Sequence, residues 1–250
     1  MRTVKSPSTS DTDPQATSLA SKYDQYYTEG DITPVVPLSG WPRDRNQAIV
    51  SVPGHGRALL DIGCGNGEVL YEMRHRYKTL TGTELSSARL QKASQLLTKD
   101  DFRPVLATGD TFPEIASGSI DRAISSDVIE HTVDIYSHLA DIFRVLRPGG
   151  DLVVNTPNIA LVSRRLQLLI GEFPATSYGA NIKGDTALFD GGHLHYFTFP
   201  LLSRLLRQTG FHVIGKMGFG RFGRLHNLWP EMLSSSVQIH ARRPPGQQKH

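Results

Sequence analysis

The sequence predicts an α/β domain built on a mostly parallel sheet with helices on both faces. Two observations carry this. Short apolar runs alternate with helix-like segments between residues 59 and 217, a rhythm that sets strands side by side with helical crossovers. In addition, Leu59-Leu60-Asp61-Ile62-Gly63-Cys64-Gly65-Asn66-Gly67 joins an apolar run to a helical stretch over about 68–76 through three alternate glycines. Glycines there let the backbone turn tightly and approach a ligand that a Cβ would exclude. The helix that follows points its first amides at the same ligand. The spacing is neither the dinucleotide fingerprint nor a P-loop, because no Gly-Lys-Ser/Thr follows.

The length of 250 residues suits one such domain with a lid or insertion. Hydrophobic residues at 38% and charged residues at 20% fit a globular chain. The net charge of +3 is small and spread out, which marks a solvated surface rather than a polyanion-binding one. The single cysteine, Cys64, cannot form an internal disulfide. It is either a small residue packed under the glycine loop or a thiol beside the ligand. No apolar run approaches the ~20 residues of a membrane span, and the N-terminus lacks a signal-peptide core. The expectation is a cytoplasmic protein, monomeric or homodimeric, with no membrane span.

Residues 1–20 are rich in Ser, Thr, Asp and Pro and read as a disordered tail, leaving 21–250 as a single domain. Tyr23, Tyr26 and Tyr27 follow at helical spacing, and a helical stretch ends near Pro53-Gly54. Residues 78–84 predict the second strand, and 86–97 a helix capped by Ser86 or Ser87. Residues 105–108 and 120–125 predict the third and fourth strands. A helix over 133–146 is stopped by Pro148-Gly149-Gly150, and 151–155 is the fifth strand. Residues 158–197 break the alternation and read as an insertion that opens with an amphipathic helix. A helix over 199–208 takes Thr198 as N-cap, with Pro200 in its first turn and Gly210 at its end. Residues 211–217 and 237–242 are the last strands, with a mobile glycine-rich loop over 218–223 between them.

The stretch from Leu59 to Gly67 resembles motif I of the class I methyltransferases that use S-adenosylmethionine (SAM), and the resemblance spans roughly residues 55–217. It implies the Rossmann-like fold of that family: a seven-stranded, mostly parallel sheet with a reversed C-terminal hairpin and a lid insertion. It also implies SAM as cofactor and S-adenosylhomocysteine as product. On that reading Gly63, Cys64, Gly65 and Gly67 form the cofactor loop, and Asp61 orients it. Glu84, ending the second strand with Leu85 beside it, accepts from the ribose diol. Asp110 accepts from the adenine amino group, with Thr111 and Phe112 adjoining. Ser126 and Asp127 end the fourth strand beside the reactive sulfur, and Tyr27 lies in an aromatic opening that folds over the cofactor.

Ser126-Asp127-Val128-Ile129-Glu130-His131 resembles a stretch of the ubiquinone- and menaquinone-type methyltransferases. His131 titrates near working pH and is a candidate general base with Glu130 to orient it; both residues could instead close the pocket by hydrogen bonds. The stretch over 157–174 (PNIALVSRRLQLLIGEFP) together with 193–198 (HLHYFT) resembles MetW-like and glycan- or lipid-modifying members, in several of which a histidine here faces the acceptor. Asp185, Asp190, His193 and His195 are chemically able to bind a cation. No zinc spacing is present and magnesium prefers oxygen, so the sequence assigns no metal and leaves Mg²⁺ as a weak alternative. No Asn/Asp-Pro-Pro-Tyr/Phe follows the fourth strand, which argues against an amino-methylating nucleic-acid enzyme, and no clustered basic stripe points to RNA. The sequence therefore predicts an O-methyltransferase acting on a small molecule: a sugar or glycan precursor, a lipid precursor or a natural product. The alternatives are a C- or N-methyltransferase, or a SAM-binding partner protein without turnover.

Overall fold

A computed structural model describes residues 40–177, 190 and 192–246. The expected tail, Tyr27 and Asp185 lie outside the described residues. The strands are β1 (Gly56–Ile62), β2 (Tyr77–Glu84), β3 (Phe102–Leu106), β4 (Ile120–Ser126), β5 (Leu146–Pro157), β6 (His212–Met217) and β7 (Ser236–Arg242). The helices are α1 (Arg45–Val50), α2 (Glu68–Met73), α3 (Ser87–Leu96), α4 (Ile135–Val145), α5 (Val162–Leu169), α6 (Phe199–Thr209), α7 (Leu225–Leu228) and α8 (Pro230–Leu233), and a 3₁₀ turn over Arg74–Arg76 extends α2.

The sheet order is β3-β2-β1-β4-β5-β7-β6. The first five strands pair in parallel, while β7 runs antiparallel to both β5 and β6. This is the seven-stranded sheet with a reversed C-terminal hairpin that the resemblance implied. The order reverses between β1 and β4, which opens a ligand crevice beyond their C-terminal ends.

Alternation along the strands divides the core. Leu59, Ile124 and Val153 pack with Leu70, Met73 and Leu90 on one face. Leu60, Ala123, Leu152 and Val154 pack with Leu139, Ile142, Leu202 and Leu206 on the other. Successive strand side chains point to opposite faces, so a strand buried on both sides reads as a continuous apolar run. Helix starts follow their caps. Ser86 accepts from Arg89 N–H at 3.2 Å, Asp134 from Tyr136 and Ser137 N–H, and Thr198 from Leu201 N–H at 3.2 Å. Gly210, at φ 104°, ends α6 in the left-handed conformation.

The structure differs from the sequence reading at four places. The third strand starts at Phe102 and contains Pro104; β3 is an edge strand, where a missing N–H is tolerated. Pro148-Gly149-Gly150 lies inside β5, at a register shift opposite Ile120 and Arg122, so the glycines serve a bulge. The expected mobile loop over 218–223 is pinned instead. Trp41 Nε1 donates to Gly218 O at 2.9 Å, Gly218 N–H to Asn227 Oδ1 at 3.0 Å and Gly220 N–H to Pro42 O at 3.2 Å. The amphipathic α5 buries none of its residues. The two ends of the insertion meet, with Asn158 bridging Phe197 and Ile159 N–H donating to Phe197 O at 3.1 Å.

Arg122 is almost fully buried in β4. It donates to Val52 O at 3.2 Å, Pro53 O at 2.8 Å and Asp151 Oδ2 at 3.0 Å. Burial would raise the Asp151 carboxyl, but hydrogen bonds from His240, Arg242 and Arg122 outweigh it and hold the group below its ordinary range. Breaking a buried pair typically costs about 3–5 kcal/mol, so Arg122→Ala should lower stability by about that amount in urea unfolding. A lowered folded-state pKa gives stability that is present above about pH 4 and is lost as pH falls through the folded value. The variant should therefore show a shallower loss of stability below pH 4 than the parent chain.

Candidate active site

The crevice begins at the glycine loop. Gly63, Gly65 and Gly67 take φ values of 66°, 57° and 87°, the region that residues with a Cβ enter at a cost. There is also no room for one. A Cβ on Gly63 would stand 2.5 Å from Val128 Cγ2, one on Gly67 3.0 Å from Ala93 Cβ, and one on Gly65 would meet the Arg89 guanidinium. Glu84 clasps the loop from the end of β2. Its Oε2 accepts from Gly65 N–H at 2.9 Å and its Oε1 from Ser86 N–H at 3.0 Å. Arg89 lies 3.8 Å from Oε2. Cys64 is packed against Gly82 beneath the loop, and burial pushes its thiol well up, so it is no reactive thiolate.

The crevice is acid-rich. Burial pushes Asp61 up to about 8, and the charges of Glu68 and Glu84 add to the effect. Asp127 has φ 50°, the one positive value outside glycine among the described residues. Its carboxylate pairs with Arg45, yet its buried Oδ1 has no partner among the described residues. These groups fit SAM. The tight glycine turn presents its main chain at the crevice, and the acids would hold the amino-acid ammonium of a ligand that also carries a sulfonium.

Other expected cofactor residues have structural partners. Asp110 Oδ2 accepts from Val133 and Asp134 N–H, both at 2.9 Å, and so fixes the start of α4. Phe112 is buried in the core with its ring edge-on to His138 at 5.6 Å. Thr111 is exposed, Leu85 and Ser126 are half-buried, and Ser126 Oγ has no partner.

The histidine motifs, far apart in sequence, meet. The His131 and His193 rings lie 4.8 Å apart and nearly perpendicular. Val128, which touches the glycine loop, accepts from His131 N–H at 2.9 Å, so the pair adjoins the cofactor crevice. The docking is through main chain: Leu194 and His195 N–H donate to Glu130 O at 2.7 and 3.1 Å. Burial lowers the His131 pKa, and neighbouring His193 lowers it further. Glu130 is buried, with Oε2 accepting from Thr156 Oγ1 at 2.9 Å and Oε1 without a partner among the described residues. Burial raises its pKa, and the Asp127 charge adds to this. His195 stands apart, its Nε2 3.0 Å from Thr132 O.

Glu130, His131 and His193 bring ligand atoms within 4.8 Å of one another and could hold a metal ion. This differs from the set considered on sequence. Asp190 is spent on its own loop, accepting from Thr176 N–H at 2.8 Å and from Ser177 N–H and Oγ, each at 2.7 Å. Burial opposes its ionisation, but these bonds hold its pKa well below the carboxylate range. Thr176 had no signal in the sequence, because its partners lie across a loop.

Residues 60–154 match the family model described as a methyltransferase domain. The chain is 29% identical over 140 residues to a ubiquinone biosynthesis O-methyltransferase of Caulobacter sp. strain K31, covering 54% of each chain. It is 32% identical over 101 residues to a malonyl-[acyl-carrier protein] O-methyltransferase of Serratia marcescens, covering 40% of this chain and 38% of the relative. The chain thus spans about half the length, or less, of these curated relatives. In fold it is similar to a SAM-dependent methyltransferase of Mesorhizobium loti, with TM-score 0.59 and 20% identity over 79% of this chain and 97% of that one.

Hydrogen bonds to a charged group are worth about 1.5–3 kcal/mol each, and Glu84 accepts two, one from Gly65 in the loop and one from Ser86 at the start of α3. Glu84→Ala should therefore weaken SAM binding at least ~100-fold in calorimetry, and Gly65→Val should abolish it; unchanged affinity in either would contradict a SAM site here. Loop, sheet order and family match agree: residues 60–154 match a methyltransferase domain, and the seven-stranded sheet around them has the fold of SAM-dependent methyltransferases.

Proposed function

We propose that the protein transfers the methyl group of SAM to a hydroxyl of a small-molecule acceptor, with the His131–His193 pair taking up the hydroxyl proton. The observation that carries this is the meeting of the two imidazoles beside the glycine loop. Methyl transfer from a sulfonium is an in-line displacement, for which SAM supplies the electrophilic carbon and a neutral thioether leaving group. The chain must align the hydroxyl oxygen and exclude water, and accept a proton as the oxygen attacks. An imidazole whose pKa is lowered is neutral at pH 7 and ready to accept. The names of the two relatives, both O-methyltransferases, support a hydroxyl or carboxyl oxygen over carbon or nitrogen. A sugar, a lipid precursor or a natural product each satisfies this chemistry.

A second reading has its own observation. Two imidazoles and a buried carboxylate with an unpartnered oxygen suit a divalent metal of the zinc or manganese kind better than magnesium. A cation there would lower the pKa of a bound hydroxyl and leave the histidines as its holders. Treatment with a chelator separates the two readings, since only the second predicts loss of activity with recovery on adding metal.

His131→Ala and His193→Ala should each lower kcat by about 100-fold or more while changing SAM affinity less than about twofold. Turnover would be read as S-adenosylhomocysteine release over a panel of hydroxylated acceptors. No release with any acceptor would favour a SAM-binding partner protein, and equal loss of affinity and turnover would make the histidines structural. Protonation disables the base, so kcat/KM should fall on the acid side with a pKa below 6.5.

A further inference from the structure

We propose that Thr176 and Asp190 are positioning residues that fix the tautomer of His193, holding the proton on Nδ1 and leaving Nε2 as the basic nitrogen. This deepens the preceding reading and rests on it for its role in turnover. The geometry is a relay of three side chains. Thr176 Oγ1 lies 2.5 Å from Asp190 Oδ2 and 2.6 Å from His193 Nδ1. A hydroxyl has one hydrogen to give. Asp190 takes bonds from the N–H groups and hydroxyls of Thr176 and Ser177, donors that a carboxylate satisfies by accepting only. The Thr176 hydrogen therefore goes to Asp190, and its oxygen accepts from His193. Nδ1 must carry a proton to make that bond, which leaves the lone pair on Nε2.

The arrangement also answers what happens after a proton arrives. When Nε2 takes the proton of the acceptor hydroxyl, the ring becomes an imidazolium with both nitrogens protonated. Its Nδ1–H stays bonded to Thr176, and the Asp190 carboxylate stands 3.4 Å from Nδ1. The role matches the carboxylate of a Ser-His-Asp triad, which holds the tautomer and stabilises the imidazolium without taking the proton. Here a threonine hydroxyl lies between the carboxylate and the ring. His131 is held in the same sense by another acceptor: its Nδ1 is 3.2 Å from Gly192 O, and a carbonyl only accepts. Asp190, through Thr176, and the Gly192 carbonyl thus orient the two imidazoles.

The test uses the full chain with ¹⁵N-labelled histidine and long-range proton–nitrogen correlation spectra at neutral pH, with His193→Gln identifying the His193 signals. The expected result is His193 protonated at Nδ1 in the parent chain. Thr176→Val should lose that tautomer and lower kcat about 10–100-fold, the usual range for residues that orient a functional histidine. SAM affinity should stay unchanged, and Thr176→Ser should restore both the tautomer and the rate. Asp190→Asn offers a second arm if Thr176→Val does not fold. Its amide can donate to the hydroxyl, which would then turn its hydrogen to His193 and drive the proton to Nε2. A parent chain with His193 protonated at Nε2, or Thr176→Val with the tautomer unchanged, would overturn the relay. Tautomers that behave as expected without any change in turnover would uphold the relay and overturn His193 as proton acceptor.

Discussion

The crevice depends on the turn that carries β1 into α2. Three residues within five positions hold positive φ, and each is walled by another element: Val128 after β4, Arg89 and Ala93 in α3. Gly63 and Gly67 therefore have little freedom to relax around a side chain, and at Gly65 the Arg89 guanidinium would have to move. Its middle amide is taken by Glu84, so the end of β2 and the end of β1 become one object. Because Val128 presses on Gly63, the stretch that bears Glu130 and His131 is registered against the same turn. The placement of the histidines follows from the same close approach that shapes the cofactor loop.

Burial of charge is the second organising force. Asp61, Glu84 and Glu130 are each at most 5% exposed, and desolvation dominates the shifts of Asp61 and Glu130. Buried acids are costly unless paired or hydrogen-bonded. At Glu84 the amides of Gly65 and Ser86 offset the cost. At Asp127 and Glu130 one oxygen each has no partner among the described residues. SAM, which brings an ammonium and a sulfonium together, would complement such charge. Elsewhere in the sheet the Asp151 carboxylate is paired, meeting Arg122, Arg242 and His240.

Much of this was legible from sequence because it is local. Gly63, Gly65 and Gly67 announce a turn, Ser86 and Thr198 announce helix starts, and Glu84 sits where a strand must end. The edge strand was obscured by Pro104, since proline argues against a central strand and is acceptable only once the edge is known. The helices α7 and α8 span four residues each, too short for a helical period to appear. The assignments that needed three dimensions were those of side chains. Asp110 carries the residue type expected of an adenine contact and spends one oxygen on the backbone of α4. Asp190 has the type of a metal ligand and spends itself on Thr176 and Ser177. Type was visible, and partner was not.

The bridge between Asn158 and Phe197 has an evolutionary consequence. A segment whose ends already touch in the parent fold can be lengthened or exchanged with little entropic cost to the sheet, because closing a longer loop grows only logarithmically with its length. The insertion is in that sense a cassette. His193 and its two supporting side chains travel with the cassette, whereas Glu130, His131 and the glycine turn stay with the sheet. On the proposed function, variation in that segment would re-tailor the acceptor side, while His131, which follows β4, keeps its register to the glycine turn. On the same reading an exchanged segment would retain an imidazole at the place of His193 and main-chain amides to meet the carbonyl of Glu130.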